Sequence, residues 1–242
     1  MMPIMTGCHT ASSALIIVLP QLGDFDSMEY AWWLQRDKAL LAQNNIALRV
    51  VAIGARGAGQ KFCDYTGFDP DHLFVDATAS LHQQLELYPG LQVKLPFLSP
   101  TQQAWFNLLV MCAGIGSPGT LKEVLRGYTG DKNSPSLFSS NETINISPFP
   151  SFQGNLFDKV GQDYQRPFEL ATLRLKNMIE VLTNWHIYVE DGRYLTQRGA
   201  TFLFDQNQNL LYQHRDKGIL GFAENMSNPL QFLRNINWVF HR

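Results

Sequence analysis

The sequence predicts an α/β fold in three layers, with parallel strands early and an antiparallel hairpin late. Two short apolar runs rich in β-branched residues, Ala14 to Leu19 and Ala47 to Ile53, read as strands covered on both faces. A helical stretch lies between them, and a right-handed crossover then makes the two strands parallel. Near the end of the chain, Thr201 to Asp205 and Leu210 to Gln213 flank the polar turn Gln206 to Asn209, which is the pattern of a β-hairpin.

Taken in order, the first apolar run is closed by Pro20. Gly23 to Glu29 supplies a helix start, with Asp26 as the cap and Glu29, three residues on, completing a capping box. The helix is expected to reach about Asn44. Tyr30, Ala31, Trp32, Trp33 and Leu34 make its first half apolar around much of its circumference, so that half belongs inside. Asn44 and Asn45 break the pattern before the second strand. A Gly-rich turn, Gly54 to Gly59, opens a short helix that Gly67 stops. His72 to Val75 is expected as a strand and Ser80 to Leu87 as a helix.

From Tyr88 to about Tyr194 the alternation of strand and helix is lost. Trp105 to Ala113 reads as a helix, and Thr120 with Glu123 is expected to cap another over Leu121 to Gly127. Gly130 to Gln165, rich in Ser, Asn, Pro and Phe, is expected as a long irregular loop, either functional or mobile. Leu170 to Trp185 is helical in pattern, and Asn228 to Asn235 closes the chain as a helix. The organisation expected is one domain over residues 1–242, with a largely helical and loop insertion at about 97–193 ahead of the C-terminal hairpin.

A net charge of -2, with Lys and Arg scattered, gives no field to attract nucleic acid. The best candidate, Ala14 to Leu19, is six residues long and falls far short of the roughly 20 residues of a membrane helix. Met1 to Ser13 holds no Lys or Arg, which argues against a secretory or lipoprotein leader. Three cysteines, Cys8, Cys63 and Cys112, make no disulfide framework. The expectation is a cytoplasmic protein, with the sequons at Asn141 and Asn145 as chance matches. His72, His82, His186 and His214 lack metal-ligand spacing, so neither metal nor cofactor is expected. Gly54 to Gly59 fits neither phosphate-loop pattern. His214-Arg215-Asp216 matches a kinase triplet, but Gly221 stands where its Asn belongs.

Four segments in this order carry a family resemblance: LIIVLPQLGDFDSMEYA (Leu15 to Ala31), NNIALRVVAIGARGAGQKFCDYTGF (Asn44 to Phe68), LFVDATASLHQQLELYPGL (Leu73 to Leu91) and QRGATFLFDQNQNLLYQHRDKG (Gln197 to Gly218). Together they resemble the peroxiredoxin-like AhpC/TSA proteins of cyanobacteria, plastids and animals. The resemblance implies a thioredoxin-like fold. It covers about Ala14 to Gly90 and Ala200 to Leu233, and the longer members that extend through the middle are associated with photosynthetic organisms.

In redox-active members, the turn after the first of these strands reads Gly-Cys-x-x-Cys, where a helix N-terminus favours a thiolate. Laid on this sequence, Gly23 keeps its place, Asp24 falls on the first cysteine and Ser27 on the second. A serine hydroxyl cannot cycle through a sulfenic acid and a disulfide. Arg198 lies one residue from the place of the family's active-site Arg, and Gly199-Ala200 hold the position that is often a cis-Pro. The resemblance therefore implies a redox-inactive accessory or binding protein with a degenerate site of Asp24, Asp26, Ser27 and Arg198. Its partner would be another protein, met through the insertion or the former active-site edge. The place implied is cytoplasm or plastid stroma, with peripheral association at a thylakoid complex. The alternative is an antioxidant thiol oxidoreductase that uses Cys63 or Cys112.

Read as residues alone, Asp24, Asp26 and Glu29 suit either helix capping or a carboxylate cluster for acid-base work. Cys63, between Phe62 and Asp64, and Cys112, after Met111, are expected as buried, inert thiols. Cys8 is expected in a loose terminal segment. Trp105, Phe106, Phe138, Phe149, Phe152, Phe157, Tyr164 and Phe168 either cover the core or form an apolar patch for another protein.

Overall fold

The computed structural model describes Cys8 and residues 11–235. Its first strand, β1 (Ser13–Gln21), is buried at every position because alternate side chains feed two cores. Leu15, Ile17 and Leu19 enter the larger core, while Ala14, Ile16 and Val18 enter a smaller one on the other face. Pro20 does not end the strand. The ladder to β2 (Ile46–Ile53) shifts register between Leu19 and Gln21, so the missing N–H falls at an irregularity.

The single helix expected to Asn44 is two: α1 (Phe25–Arg36) and α2 (Lys38–Gln43) meet at Asp37, which caps the first. Next come α3 (Arg56–Thr66), stopped by Gly67 at φ 69 as expected, β3 (Leu73–Val75) and α4 (Ser80–Gln84). The middle of the chain holds α5 (Pro100–Cys112), α6 (Thr120–Thr129), the short hairpin of β4 (Thr143–Ile144) and β5 (Phe152–Gln153), then α7 (Glu169–Thr183) and α8 (Trp185–Tyr188). The hairpin of β6 (Ala200–Asp205) and β7 (Leu210–Arg215) follows, and α9 (Phe232–Asn235) is shorter than the closing helix expected.

The main sheet runs in the order β3-β2-β1-β6-β7. β1, β2 and β3 are parallel, and β6 runs antiparallel to both β1 and β7. Side chains of α1, α3 and α7 fill the larger core, and Leu81 and Leu85 of the α4 segment pack on the smaller one. This is the three-layer architecture expected.

Three local expectations differ from the structure, the first through a local cap and the other two through tertiary partners. Ser99 and Gln102 form a capping box that starts α5 well ahead of Trp105. Thr120 does not cap α6; Gly119, at φ 87, precedes that helix, and the Thr120 hydroxyl donates to the Ile219 carbonyl instead. Residues 130–165 are largely irregular, as expected, apart from the short hairpin, but they are packed down, since Leu137, Phe138, Ile144, Ile146 and Phe157 are buried in the larger core. Cys8 likewise is buried, in the smaller core, rather than held in a loose segment. No helix among the described residues is long and apolar enough to cross a membrane.

Gly199 shows how tightly the hairpin is fitted to the sheet. A Cβ there would lie 2.1 Å from the Val18 carbonyl oxygen and 3.0 Å from Asp216 Oδ2. The collision is with backbone, so the strands must part to relieve it. Gly199→Ala is expected to lower unfolding free energy by about 3 kcal/mol, read from the urea midpoint at constant slope.

Candidate functional site

Parallel strands deliver their carboxyl ends to one edge of the sheet, where the turn into the following helix is free to hold chemistry. At the end of β1, Leu22 N–H bonds the Ile53 carbonyl and Asp24 N–H bonds the Gln21 carbonyl, which folds Gly23 inward. A Cβ on Gly23 would come within 2.7 Å of Val189 Cγ2 and 3.1 Å of Tyr188 Cβ, so the end of α8 lies directly on the turn. Gln21 ties the same segment down by donating from Nε2 to the Asp191 carbonyl.

The cap of α1 is Asp24, not Asp26: its Oδ1 accepts from Asp26 N–H at 2.9 Å. The carboxylate expected as the cap is instead fully buried. Both oxygens of Asp26 accept from Leu220 N–H, at 2.9 and 2.8 Å, and Oδ2 also accepts from Arg198 Nη1 at 3.2 Å. Arg198 Nη2 pairs with Asp24 Oδ2. The guanidinium is wholly buried and donates further to the Thr196 carbonyl from Nε, at 3.1 Å. Ser27 is buried as well, its hydroxyl donating to the Gln21 carbonyl at 3.1 Å. The structure thus brings together all four residues that the sequence proposed: Asp24, Asp26, Ser27 and Arg198.

Sequence reasoning missed a fifth member. Asp216 Oδ2 accepts from Gly199 N–H at 3.0 Å, next in the chain to Arg198, while Oδ1 lies 3.7 Å from His214 Nε2 with no hydrogen bond of its own. The sequence marks it only within the His214-Arg215-Asp216 triplet and not as a member of this site, because its place depends on the pairing of β6 with β7. Asp24, Asp26 and Asp216 therefore surround one guanidinium, and the carboxylates outnumber the charge that answers them. Burial, then the neighbouring Asp24, holds the Asp26 carboxyl well above the usual carboxylate range, with Arg198 pulling the other way. Burial, opposed by Arg198, pushes Asp216 up to about 7.

Glu29 is no capping-box partner either. It pairs with Arg174 of α7 at 2.7 Å, and Arg174 also reaches Glu123 of α6 at 2.7 Å. Arg126 continues the chain of charges from Glu123 to Asp131. Among the described residues no group of three or more His, Cys, Asp or Glu side chains is placed to hold a metal ion. The carboxylates of the turn are directed at arginine.

Cys63 and Cys112 stand differently with respect to this turn. Cys63 is buried in α3, and burial followed by Asp64 and Asp69 pushes its thiol up. Cys112, expected to be buried, is exposed at the end of α5 and lies within electrostatic reach of Asp24, Arg198 and Asp26. Partial burial and then Asp24 raise its thiol, with Arg198 opposing. Neither environment favours the thiolate that thiol chemistry requires.

Residues 33–218 match the model of the AhpC/TSA antioxidant enzyme family. The chain belongs to that family. Its mixed sheet with flanking helices is the thioredoxin-like fold of the family, and the matched span includes the middle segment, Arg198 and Asp216. Gly23 to Ser27 precede that span. No curated protein and no solved structure matches the chain.

Two outcomes follow from the buried cluster. Arg198→Met would leave three buried carboxyl groups without their cation, and a loss of about 3–5 kcal/mol in unfolding free energy is expected at neutral pH by chemical denaturation. Asp216 has a folded-state pKa of about 7 against 3.8 as its ordinary value. The folded chain then holds a proton that the unfolded chain releases, so stability falls as pH rises from about 4 to 7 and the full cost stands above pH 7. Asp216→Asn keeps an acceptor for Gly199 N–H. It is expected to flatten this slope and to raise stability above pH 7 by up to about 4 kcal/mol, while leaving stability near pH 4 unchanged.

Proposed function

We propose that this chain is a redox-inactive member of the AhpC/TSA antioxidant enzyme family that acts by binding another protein. One observation carries the proposal: the two positions that resemblance gives to thiols hold Asp24 and Ser27, and both are committed to internal bonds with Arg198, Asp26 N–H and the Gln21 carbonyl. Peroxide reduction needs an accessible sulfur that is oxidised to a sulfenic acid and returned through a disulfide. A buried hydroxyl that donates to a carbonyl has neither the acidity nor the access for that cycle. From the resemblance to the longer members of photosynthetic organisms, the partner proposed is a photosynthetic complex of the thylakoid, with which this chain associates peripherally from the cytoplasm or plastid stroma. The contact surfaces proposed are the middle segment and the edge around the turn.

A thiol oxidoreductase using Cys63 or Cys112 is the competing reading, and the exposure of Cys112 near Arg198 is what favours it. Burial raises both thiols, which counts against it. Two measurements decide between the readings. Peroxide consumption with thioredoxin or glutathione as reductant is expected to stay at the uncatalysed rate. Alkylation of each cysteine at pH 6 is expected to be slow, with no thiol reacting as one whose pKa lies well below the ordinary value of about 8.5. Turnover that disappears in Cys112→Ser or Cys63→Ser would overturn the proposal in favour of the thiol enzyme.

A further inference from the structure

Beyond β7 the chain crosses the head of α6 as a bridge fixed at both ends. At one end Ile219 N–H bonds the Ser117 hydroxyl at 2.7 Å, and the Ile219 carbonyl accepts from the Thr120 hydroxyl at 2.7 Å. At the other, the Met226 carbonyl accepts from Arg126 Nη2 at 3.1 Å, and the Ser227 carbonyl from the Ser134 hydroxyl at 3.0 Å. Between these anchors lies a cavity of about 810 Å³, within the range of sites that take small organic ligands. Its walls are the first two turns of α6, the end of β7 and residues 217–227.

Much of the charge around this cavity is already matched. Arg126 faces Glu123 and Asp131, and Glu123 also holds Arg174. Arg215 turns to the face of the smaller core, over the Phe202 ring, with a bond from Nη1 to the Leu85 carbonyl. Lys122 and Lys217 remain. Both line the cavity, and neither has an ion-pair partner among the described residues. Against these two cations stands Glu224, so one positive charge is left over before His214 is counted. α6 begins at Gly119 without a side chain to cap it, and Pro118 and Gly119 border the cavity, so the positive end of the helix dipole adds to the same field.

His214 supplies the observation that points to a ligand. Its Nε2 lies 2.8 Å from the Gly221 carbonyl, which can only accept, so Nε2 carries the hydrogen. Nδ1 has no partner among the described residues and is not buried, so it opens on the cavity that the ring lines. Behind the ring, 3.7 Å from Nε2, the Oδ1 of the buried Asp216 has no hydrogen-bond partner. A buried oxygen left in this way is destabilising unless charge answers it, and an imidazolium at His214 does so. An anion that accepts from Nδ1–H is what would hold the ring in that state. We propose that this cavity binds a small organic phosphate, with the phosphoryl group on Lys122, Lys217 and His214 and the organic part against Leu220, Ala223 and Met226. The three donors come from three elements, α6, the segment after β7 and β7 itself. A tetrahedral group with three oxygens meets such a set, whereas a planar carboxylate is better matched by the fork of an arginine. The assignment does not depend on whether the family's thiol chemistry is lost.

Calorimetric titration of the full chain with inorganic pyrophosphate, at about 0.15 M salt, tests it. A dissociation constant of about 1 mM or tighter is expected, with citrate, a carboxylate of comparable charge, at least about tenfold weaker. Lys122→Met and, separately, Lys217→Met are expected to weaken pyrophosphate at least about tenfold, since each removes a charged donor. Lys94→Met, at an exposed site outside the cavity, is expected to leave binding unchanged. Imidazole nitrogen NMR shifts of the unaltered chain free the test from any variant's folding. Saturating pyrophosphate at neutral pH is expected to move His214 from the Nε2–H tautomer toward imidazolium and to leave His72 where it was. Absence of binding, citrate bound as tightly as pyrophosphate, indifference to both cavity substitutions, equal weakening by Lys94→Met, or an unmoved His214 would overturn the assignment. So would binding to vesicles of phosphatidylcholine and phosphatidic acid with none to pyrophosphate, which would give the basic rim to a membrane surface.

Discussion

A guanidinium removed from water is unstable unless opposite charges and hydrogen-bond acceptors surround it, and Arg198 imposes that condition on the whole carboxyl edge of the sheet. Asp24 and Asp26 come from the turn after β1, Thr196 and Leu195 from the approach to β6, and Asp216 from the end of β7. These segments are distant in sequence and meet only because β6 pairs with β1 on one side and β7 on the other. The ion cluster and the sheet therefore depend on each other. Gly199 makes the dependence steric as well, since the backbone beside Arg198 has no room for a side chain against β1.

A second set of buried charges organises the layer above the sheet. Glu29 of α1, Arg174 of α7 and Glu123 of α6 form one connected chain that continues to Arg126 and Asp131. Arginine suits this role because its planar fork serves two carboxylates at once. The consequence for α6 is direct. With its carboxylate and hydroxyl turned inward to these partners, its leucines and tyrosine have only the outside left to occupy. An internal electrostatic demand thereby creates an external apolar face.

The strands of the main sheet, most of the helices and the stop at Gly67 were legible because each rests on local composition: a β-branched run, a periodic apolar stripe, a glycine in a left-handed turn. The groups of the site were legible as well, but not their roles. Asp26 with Glu29, and Thr120 with Glu123, have the spacing of capping boxes, yet Arg198, Leu220 N–H, Arg174 and the Ile219 carbonyl claim them. A capping bond is worth about 1 kcal/mol, whereas an unpaired buried arginine costs several, so the long-range demand wins. The packing of segment 130–165 was not legible for the complementary reason. Its Ser, Asn and Pro signalled a loop, while Leu137, Phe138, Ile144, Ile146 and Phe157 are too scattered to show a period although they share one core.

The same energetics bear on the turn at the head of α1. A reactive thiol at a helix head depends on free N–H groups and a positive dipole end. Here Asp24 accepts one of those N–H groups, and the carboxylates of Asp24 and Asp26 meet an arginine that has no other place to go. With Tyr188 and Val189 packed on Gly23, the turn is also covered. Two cysteines at 24 and 27 would therefore leave Arg198 short of one carboxylate partner and the thiols beneath α8. The arrangement around Arg198 is built from three parts of the chain, the turn, the approach to β6 and the end of α8. In that arrangement the acidic turn is a clasp, and the surfaces left for function are those that face outward.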